Sequence, residues 1–211
     1  MGGRWGEIHM NIWFLKGIKS GIKTENIYKS DYRPQWSTEI KGSGDVKCPT
    51  GAISNNSWDS GKCIYCRLCY PEYNITGNDD ISIVSGSIDK RFKKSLHIYS
   101  IDSGTCGACN TELFSISVPE YDLTRYHIFF TNTPRHADAI IISGLKTGSM
   151  DNIIENAIKA MPEPGYIILL GACALSGGIL GNAQNVAAVL KIPGCPPNPY
   201  TILKGLRRLM L

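Results

Sequence analysis

The sequence contains no stretch near the roughly 20 apolar residues of a membrane span, so no crossing helix is expected. It shows no signal peptide. Trp5, Glu7, His9 and Asn11 interrupt any apolar leader core, and no A-x-A-like site follows. Dense Lys/Arg blocks are also missing, and the formal net charge is only +4. A nucleic-acid surface is therefore not expected. Neither G-x-G-x-x-G nor G-x-x-x-x-G-K-[ST] occurs, although the glycines from Gly171 to Gly178 superficially suggest a nucleotide loop. The four histidines are scattered and no G-x-S-x-G is found, which argues against a hydrolase.

What remains is an ordinary globular composition, 43% hydrophobic and 19% charged over 211 residues. That supports one domain or two small ones. Against this background eight cysteines stand out. A chain without an export signal is expected in the cytoplasm, where disulfides are rare, so the eight thiols read as metal ligands. Anionic clusters bound to them would offset the small positive charge, so nothing is read from the isoelectric point.

Residues 1–7 read as a disordered lead. Ile8, Ile12, Leu15, Ile18 and Ile22 recur at helical spacing, with Lys16, Lys19 and Lys23 on the other side. This predicts an amphipathic helix over 8–23. Two readings stand for it: packing on its own domain, or docking on a partner or membrane surface. Residues 24–47 read as a linker. Residues 74–95 are Gly/Ser/Asp-rich and then basic, with Lys90, Arg91, Lys93 and Lys94. They read as a link with a solvated face.

From residue 97 the pattern changes. Short apolar runs, His97–Ile101, His127–Thr131, Ala139–Ser143, Tyr166–Leu170 and Val186–Ile192, alternate with helix-length stretches at 109–118 and 149–161. The runs are rich in β-branched residues and read as buried parallel strands. The alternation predicts an α/β fold, an open sheet with helices on both faces. Ligands of such sheets sit beyond the carboxyl ends of the strands. Cys106 and Cys109, Cys173, and Cys195 each follow such a run, so their loops should share one edge.

The upstream cysteines follow a different rule. The two-cluster bacterial ferredoxin run is C-x₂-C-x₂-C-x₃-C-P, and its fourth cysteine serves the other cluster. Here Cys48-Pro49 preserves the ending of one copy. Cys63, Cys66 and Cys69 preserve the first three cysteines of a second, fourteen residues on. Tyr73 occupies its fourth place. The crossing rule makes Cys48, Cys63, Cys66 and Cys69 the four ligands of one [4Fe–4S] cluster. Pro49 can close the turn because no N–H is needed there. A zinc site is the competing reading, which the spacing suits poorly.

Cys106, Cys109, Cys173 and Cys195 remain, one close pair and two distant singles, as suits a site assembled by a fold. Gly104, Gly107, Gly171, Gly177 and Gly178 would let backbone approach a cluster core, and Pro196 and Pro197 stiffen the last loop. Four ordered motifs carry a resemblance: Asp-x-Gly-x-Cys-Gly-Ala-Cys-x-x-Glu (102–112), Thr-Pro-Arg-His-Ala-Asp (133–138), Gly-Ala-Cys-Ala-x-Ser-Gly-Gly (171–178) and Ile-Pro-Gly-Cys-Pro-Pro-x-Pro (192–199). They resemble the small, electron-transferring subunit of membrane-bound energy-converting [NiFe] hydrogenases, and the related cluster subunit of respiratory NADH:quinone oxidoreductase. The upstream part resembles the ferredoxin-like subunit of the same complexes.

The resemblance implies a flavodoxin-like α/β domain over 96–211 holding one [4Fe–4S] cluster on Cys106, Cys109, Cys173 and Cys195. It also implies a ferredoxin-like segment over 31–80 with the other cluster, and a docking helix within 1–30. It implies partners as well: a large subunit of [NiFe]-hydrogenase type, membrane subunits of an energy-converting complex, and a soluble carrier such as ferredoxin. The location would be peripheral, at the cytoplasmic face of the membrane. No catalytic residue is expected on this chain. Quinone reduction is the alternative, and the Cys106-x-x-Cys109 spacing favours the hydrogenase type over the adjacent Cys-Cys of the quinone enzymes. Glu112 reads either as a carboxylate in the first turn of a helix, favoured by its dipole, or as a proton-path or partner-contact group. Arg135 and His136 read either as a surface pair or as groups that tune a cluster or contact the large subunit. Leu203, Leu206, Leu209 and Met210 predict a last helix covered by partners.

Overall fold

The run Ala139–Ser143 is buried at every residue, which only a central strand covered on both faces allows. In the computed structural model, residues 13–24, 26–27, 39–42, 46–54, 57–76, 83–104 and 106–211 are described. The lead at 1–7 and the beginning of the expected helix, 8–12, lie outside them. In chain order the elements are α1 (Trp13–Ser20), β1 (Glu39–Gly42), β2 (Ile53–Ser54), β3 (Ser57–Trp58), β4 (Tyr73–Thr76) and β5 (Ile83–Val84). Then come β6 (Leu96–Asp102), α2 (Ala108–Ser115), β7 (Ile128–Phe130), β8 (Ala139–Ser143), α3 (Gly148–Ala160), β9 (Tyr166–Leu170), α4 (Gly171–Ser176), β10 (Leu190–Ile192) and α5 (Pro199–Met210).

The main sheet runs β5-β10-β9-β8-β6-β7. All neighbours are parallel except β5, which pairs antiparallel with β10. The five parallel strands, taken in chain order, stand 2-1-3-4-5 in space, the flavodoxin-like order. Strand alternation divides the core in two. Ile98, Ile141, Ile168 and Ile192 face one side with Leu113 of α2 and Leu203 and Leu206 of α5. Ile140, Ile142 and Leu169 face the other with Ile154 and Ala157 of α3 and Ala174 of α4. Helices therefore cover both faces.

Helix α5 corrects an expectation. Leu203, Leu206, Leu209 and Met210 are buried by the chain's own sheet and by α2, not left for a partner. Pro199 opens the helix and the Asn198 side chain caps it, accepting from the Thr201 N–H at 2.9 Å. Leu206→Ala is expected to destabilise the chain by about 2–5 kcal/mol, read as a lower denaturant midpoint. A surface helix would lose well under about 1 kcal/mol.

Three further segments differ from expectation. Thr24 and Ile27 are anchored: Ile27 is fully buried and Arg125 donates to the Thr24 hydroxyl. The expected linkers hold β1 and β4, which pair antiparallel, and β5, which edges the main sheet. The helix at the start is present as α1, yet it buries none of its residues and leaves Trp13 82% exposed. Packing on its own domain is thus not seen among the described residues. No helix among them is long and apolar enough to cross a membrane.

Candidate functional site

Strands β6, β8, β9 and β10 end in register. Asp102 pairs with Ser143, Ser143 with Leu170, and Leu170 with Ile192. The loops that follow them therefore leave from one edge. On the first, the Asp102 carboxylate accepts the Gly104 N–H at 2.9 Å and begins the turn. Ser103 is 1% exposed and clamps it. Its N–H donates to Ser143 O at 2.9 Å, and its hydroxyl lies 2.6 Å from Leu145 O and accepts Gln184 Nε2–H at 2.6 Å. Cys106 is exposed on this turn, and Cys109 is half-buried in the first turn of α2. Ser103→Ala leaves buried amide and carbonyl groups short of a partner, at a cost of about 1–3 kcal/mol. A thermal scan of the iron-free chain should show it as a lower melting temperature.

The second loop is tied to the first by a missing side chain. Gly171, with φ +87°, opens α4, and a Cβ built there would lie 2.4 Å from the Cys109 sulfur. Cys173 follows two residues on. The third loop is tied to the second by the Ala172 N–H, which donates to Gly194 O at 2.8 Å, one residue before Cys195. Burial pushes the Cys109 thiol up to about 12, with Cys173, Cys195, Cys106 and Asp102 adding like-charge repulsion. Cys195 is raised by burial, then by Cys173, Cys106 and Cys63. These four thiols are thus within electrostatic reach of one another.

The upstream thiols are gathered by local turns. The Gly51 N–H donates to Cys48 O at 3.1 Å and the Ala52 N–H to the Cys48 sulfur at 3.3 Å. Burial raises the Cys48 pKa, but the Thr50 hydroxyl and the N–H groups of Thr50, Ile53 and Ala52 outweigh it, and the net shift is downward. Left-handed backbone at Tyr65 and Arg67 curls the segment from Cys63 to Cys69. Cys48, Cys63, Cys66 and Cys69 wall one small cavity with apolar residues such as Val46 and Ile53. Cys63 is raised by burial and by the Cys48 and Cys69 sulfurs, against the Trp58 and Tyr65 N–H groups. Among the described residues Trp58 Nε1 is buried without a partner at hydrogen-bond distance, yet it faces Cys63 closely enough to favour the thiolate. Tyr73, in the place of the missing fourth ferredoxin cysteine, is 4% exposed, and its N–H donates to Cys69 O at 2.9 Å. An aromatic plug and the start of β4 occupy that position.

Among the described residues no three His, Cys, Asp or Glu side chains close on one point as ligands of a single ion would. Each donor set is all thiol, the soft set that suits iron–sulfur clusters and zinc. Glu112 is brought to a cleft beside Cys195. It is the fifth residue of α2, whose first turn carries no acid, so the helix-dipole reading falls. Arg135 and His136 lie in the turn Pro134–His136. Thr131 and Asp138, on either side of it, bond to Ile98 and His97, about 13 to 16 Å of strand before Asp102. That is the opposite edge from the cysteine loops, so direct tuning of a cluster there has no support, while a partner contact remains open. Sequence reasoning missed Gly171 as a seat for Cys109, the Ser103–Gln184 clamp, and Tyr65 and Ile64 as contacts between the two thiol sets. Only the position of Tyr65 between two cysteines hinted at its role.

Comparison with known proteins finds relatives of this part of the chain. The family model of the NADH ubiquinone oxidoreductase 20 kDa subunit matches residues 106–209. An uncharacterized protein of Methanocaldococcus jannaschii is 34% identical over 124 residues, covering 56% of this chain and 84% of its own. Formate hydrogenlyase subunit 7 of Escherichia coli is 34% identical over 139 residues, covering 62% of this chain and 54% of its own. A subunit of the NADH-quinone oxidoreductase of Geotalea uraniireducens is 35% identical over 137 residues, covering 61% of this chain and 80% of its own. The matched region begins at Cys106 and runs from α2 into α5, so it covers most of the α/β domain, including the loops of Cys109, Cys173 and Cys195. By these matches the chain belongs to the family of the NADH ubiquinone oxidoreductase 20 kDa subunit, whose members include subunits of hydrogenase-linked and quinone-linked oxidoreductases.

Proposed function

We propose that the chain is the electron-transferring subunit of a membrane-associated oxidoreductase complex, with two [4Fe–4S] clusters and no substrate chemistry of its own. Cys48, Cys63, Cys66 and Cys69 hold one, and Cys106, Cys109, Cys173 and Cys195 the other. The observation that carries this is geometric: Cys48, Cys63, Cys66 and Cys69 wall one cavity, while Cys106, Cys109, Cys173 and Cys195 lie on three loops tied together at the ends of β6, β9 and β10. The residues fit the groups. The upstream thiols wall a cavity, and the Gly171 backbone leaves Cys109 the space that a Cβ would fill.

Bound there, each cluster supplies one-electron storage at a potential set by charge, hydrogen bonds and exposure. The chain's own part is to hold eight thiolates and shield them. Cys48 already receives backbone N–H groups of the kind that stabilise a thiolate. Apolar neighbours keep water from Cys63 and Cys109.

The large subunit is of [NiFe]-hydrogenase type on this reading, and α1 serves as a docking helix for the membrane part. A ferredoxin-like carrier is the soluble electron source or sink, at the cytoplasmic face. The Cys106-x-x-Cys109 spacing favours hydrogenase chemistry. Quinone reduction is the second reading, favoured by similarity to the NADH-quinone oxidoreductase subunit of Geotalea uraniireducens. The native complex decides. Purified anaerobically and placed under hydrogen, it should develop two reduced cluster signals by electron paramagnetic resonance. Signals that appear with quinol and not with hydrogen would select the quinone reading. No cluster signal after dithionite would defeat both.

A further inference from the structure

The two thiol sets are far apart in sequence yet meet along one short segment. Gly61 packs on Leu175, with 3.4 Å from its built Cβ to Leu175 Cδ2. A Cβ on Gly178 would stand 3.5 Å from the Cys173 sulfur and 3.9 Å from Ile64 Cγ2. The segment 61–65 therefore lies directly on the loop that carries Cys173. Tyr65 comes next, and this residue lines two spaces at once. It lines the cavity of Cys48, Cys63, Cys66 and Cys69, and it lines the cleft that holds Cys195 and Glu112.

Three features fix this side chain. Its backbone takes φ +55°, a left-handed value that is uncommon for a bulky residue. Its ring meets Trp58 edge to face at 6.5 Å and 78°. Its hydroxyl is buried and has no hydrogen-bond partner among the described residues. An unpaired buried hydroxyl is destabilising, and such groups call for an acceptor that the described residues do not provide. Besides burial, the charges that act on this phenol come from Cys63 and Cys195, one from each set.

We propose that Tyr65 is a positioning residue, the partition between the two cysteine sites, and that its hydroxyl donates a hydrogen bond to a sulfur at one of them. The proposal rests on the reading that both sites hold iron–sulfur clusters. A donor to cluster sulfur stabilises the reduced, more negative state and raises the potential. Packing alone would not depend on the O–H.

The test uses the full chain, purified anaerobically, with iron and sulfide counted and both midpoint potentials titrated by electron paramagnetic resonance. Tyr65→Phe keeps the ring and removes the donor. It should leave iron unchanged and move one midpoint to a more negative value. Tyr65→3-fluorotyrosine, a stronger donor of nearly the same shape, should move the same centre the other way. Two unchanged potentials in iron-replete variants overturn the proposal and leave the two-cluster reading intact. Shifts of the same sign in both variants also overturn it, since they would report repacking. An unaltered chain without iron overturns the reading and the proposal together.

Discussion

Cys109→Ser should halve the bound iron, from about eight atoms per chain to about four, because each cubane needs its own set of thiolates. Serine is nearly isosteric, but its oxygen is a poor substitute for a soft thiolate ligand. Cys109 is central to its set: its sulfur feels Cys173, Cys195 and Cys106 and packs over Gly171. The upstream set has a separate cavity and is closed by local turns, so it should keep its iron. The reduced spectrum should lose one signal and retain the other. Cys48→Ser should do the reverse. Iron unchanged in Cys109→Ser would remove Cys109 from the ligand set and break the downstream assignment.

Gly171→Ala should come close to this loss without touching a ligand. Alanine in the left-handed conformation of Gly171 carries a strain of about 1–3 kcal/mol. Its methyl group would also stand 2.4 Å from the Cys109 sulfur, far inside van der Waals contact. Either α4 or Cys109 must move, and both belong to the proposed site. The expected result is a chain that still folds, with a lower denaturant midpoint, and that binds about half the iron, since one of two cubanes is lost. Gly51 has the same left-handed backbone but an open neighbourhood. Gly51→Ala should therefore show the strain without the loss of iron. Full iron in Gly171→Ala would mean that Cys109 does not need this seat.

Much of the fold was legible because its central strands are continuous apolar runs. Ala139–Ser143 and Tyr166–Leu170 appear with the bounds read from sequence. The apolar run Val186–Ile192 predicts too long a strand. The strand is only Leu190–Ile192, while Val186 and Ala188 pack on the core from irregular backbone. Apolar character alone does not separate those cases. Strand β5 has two residues and β1 is largely polar, so neither carries a periodic signal. Their existence depends on partners distant in sequence. Helix α5 shows a related limit: an amphipathic stripe announces burial but not what buries it. At the candidate site, spacing predicts the upstream set of four cysteines, and the family resemblance implies the downstream set. The contact between the sets through Ile64 and Tyr65 depends on how the loop at Gly178 approaches, which no local pattern encodes.

The most direct measurement is iron and acid-labile sulfide in the chain purified without oxygen from its native complex. Two cubanes require about eight of each per polypeptide and a brown colour that bleaches on reduction. A colourless chain, or one holding a metal ion without sulfide, would contradict the account at its base.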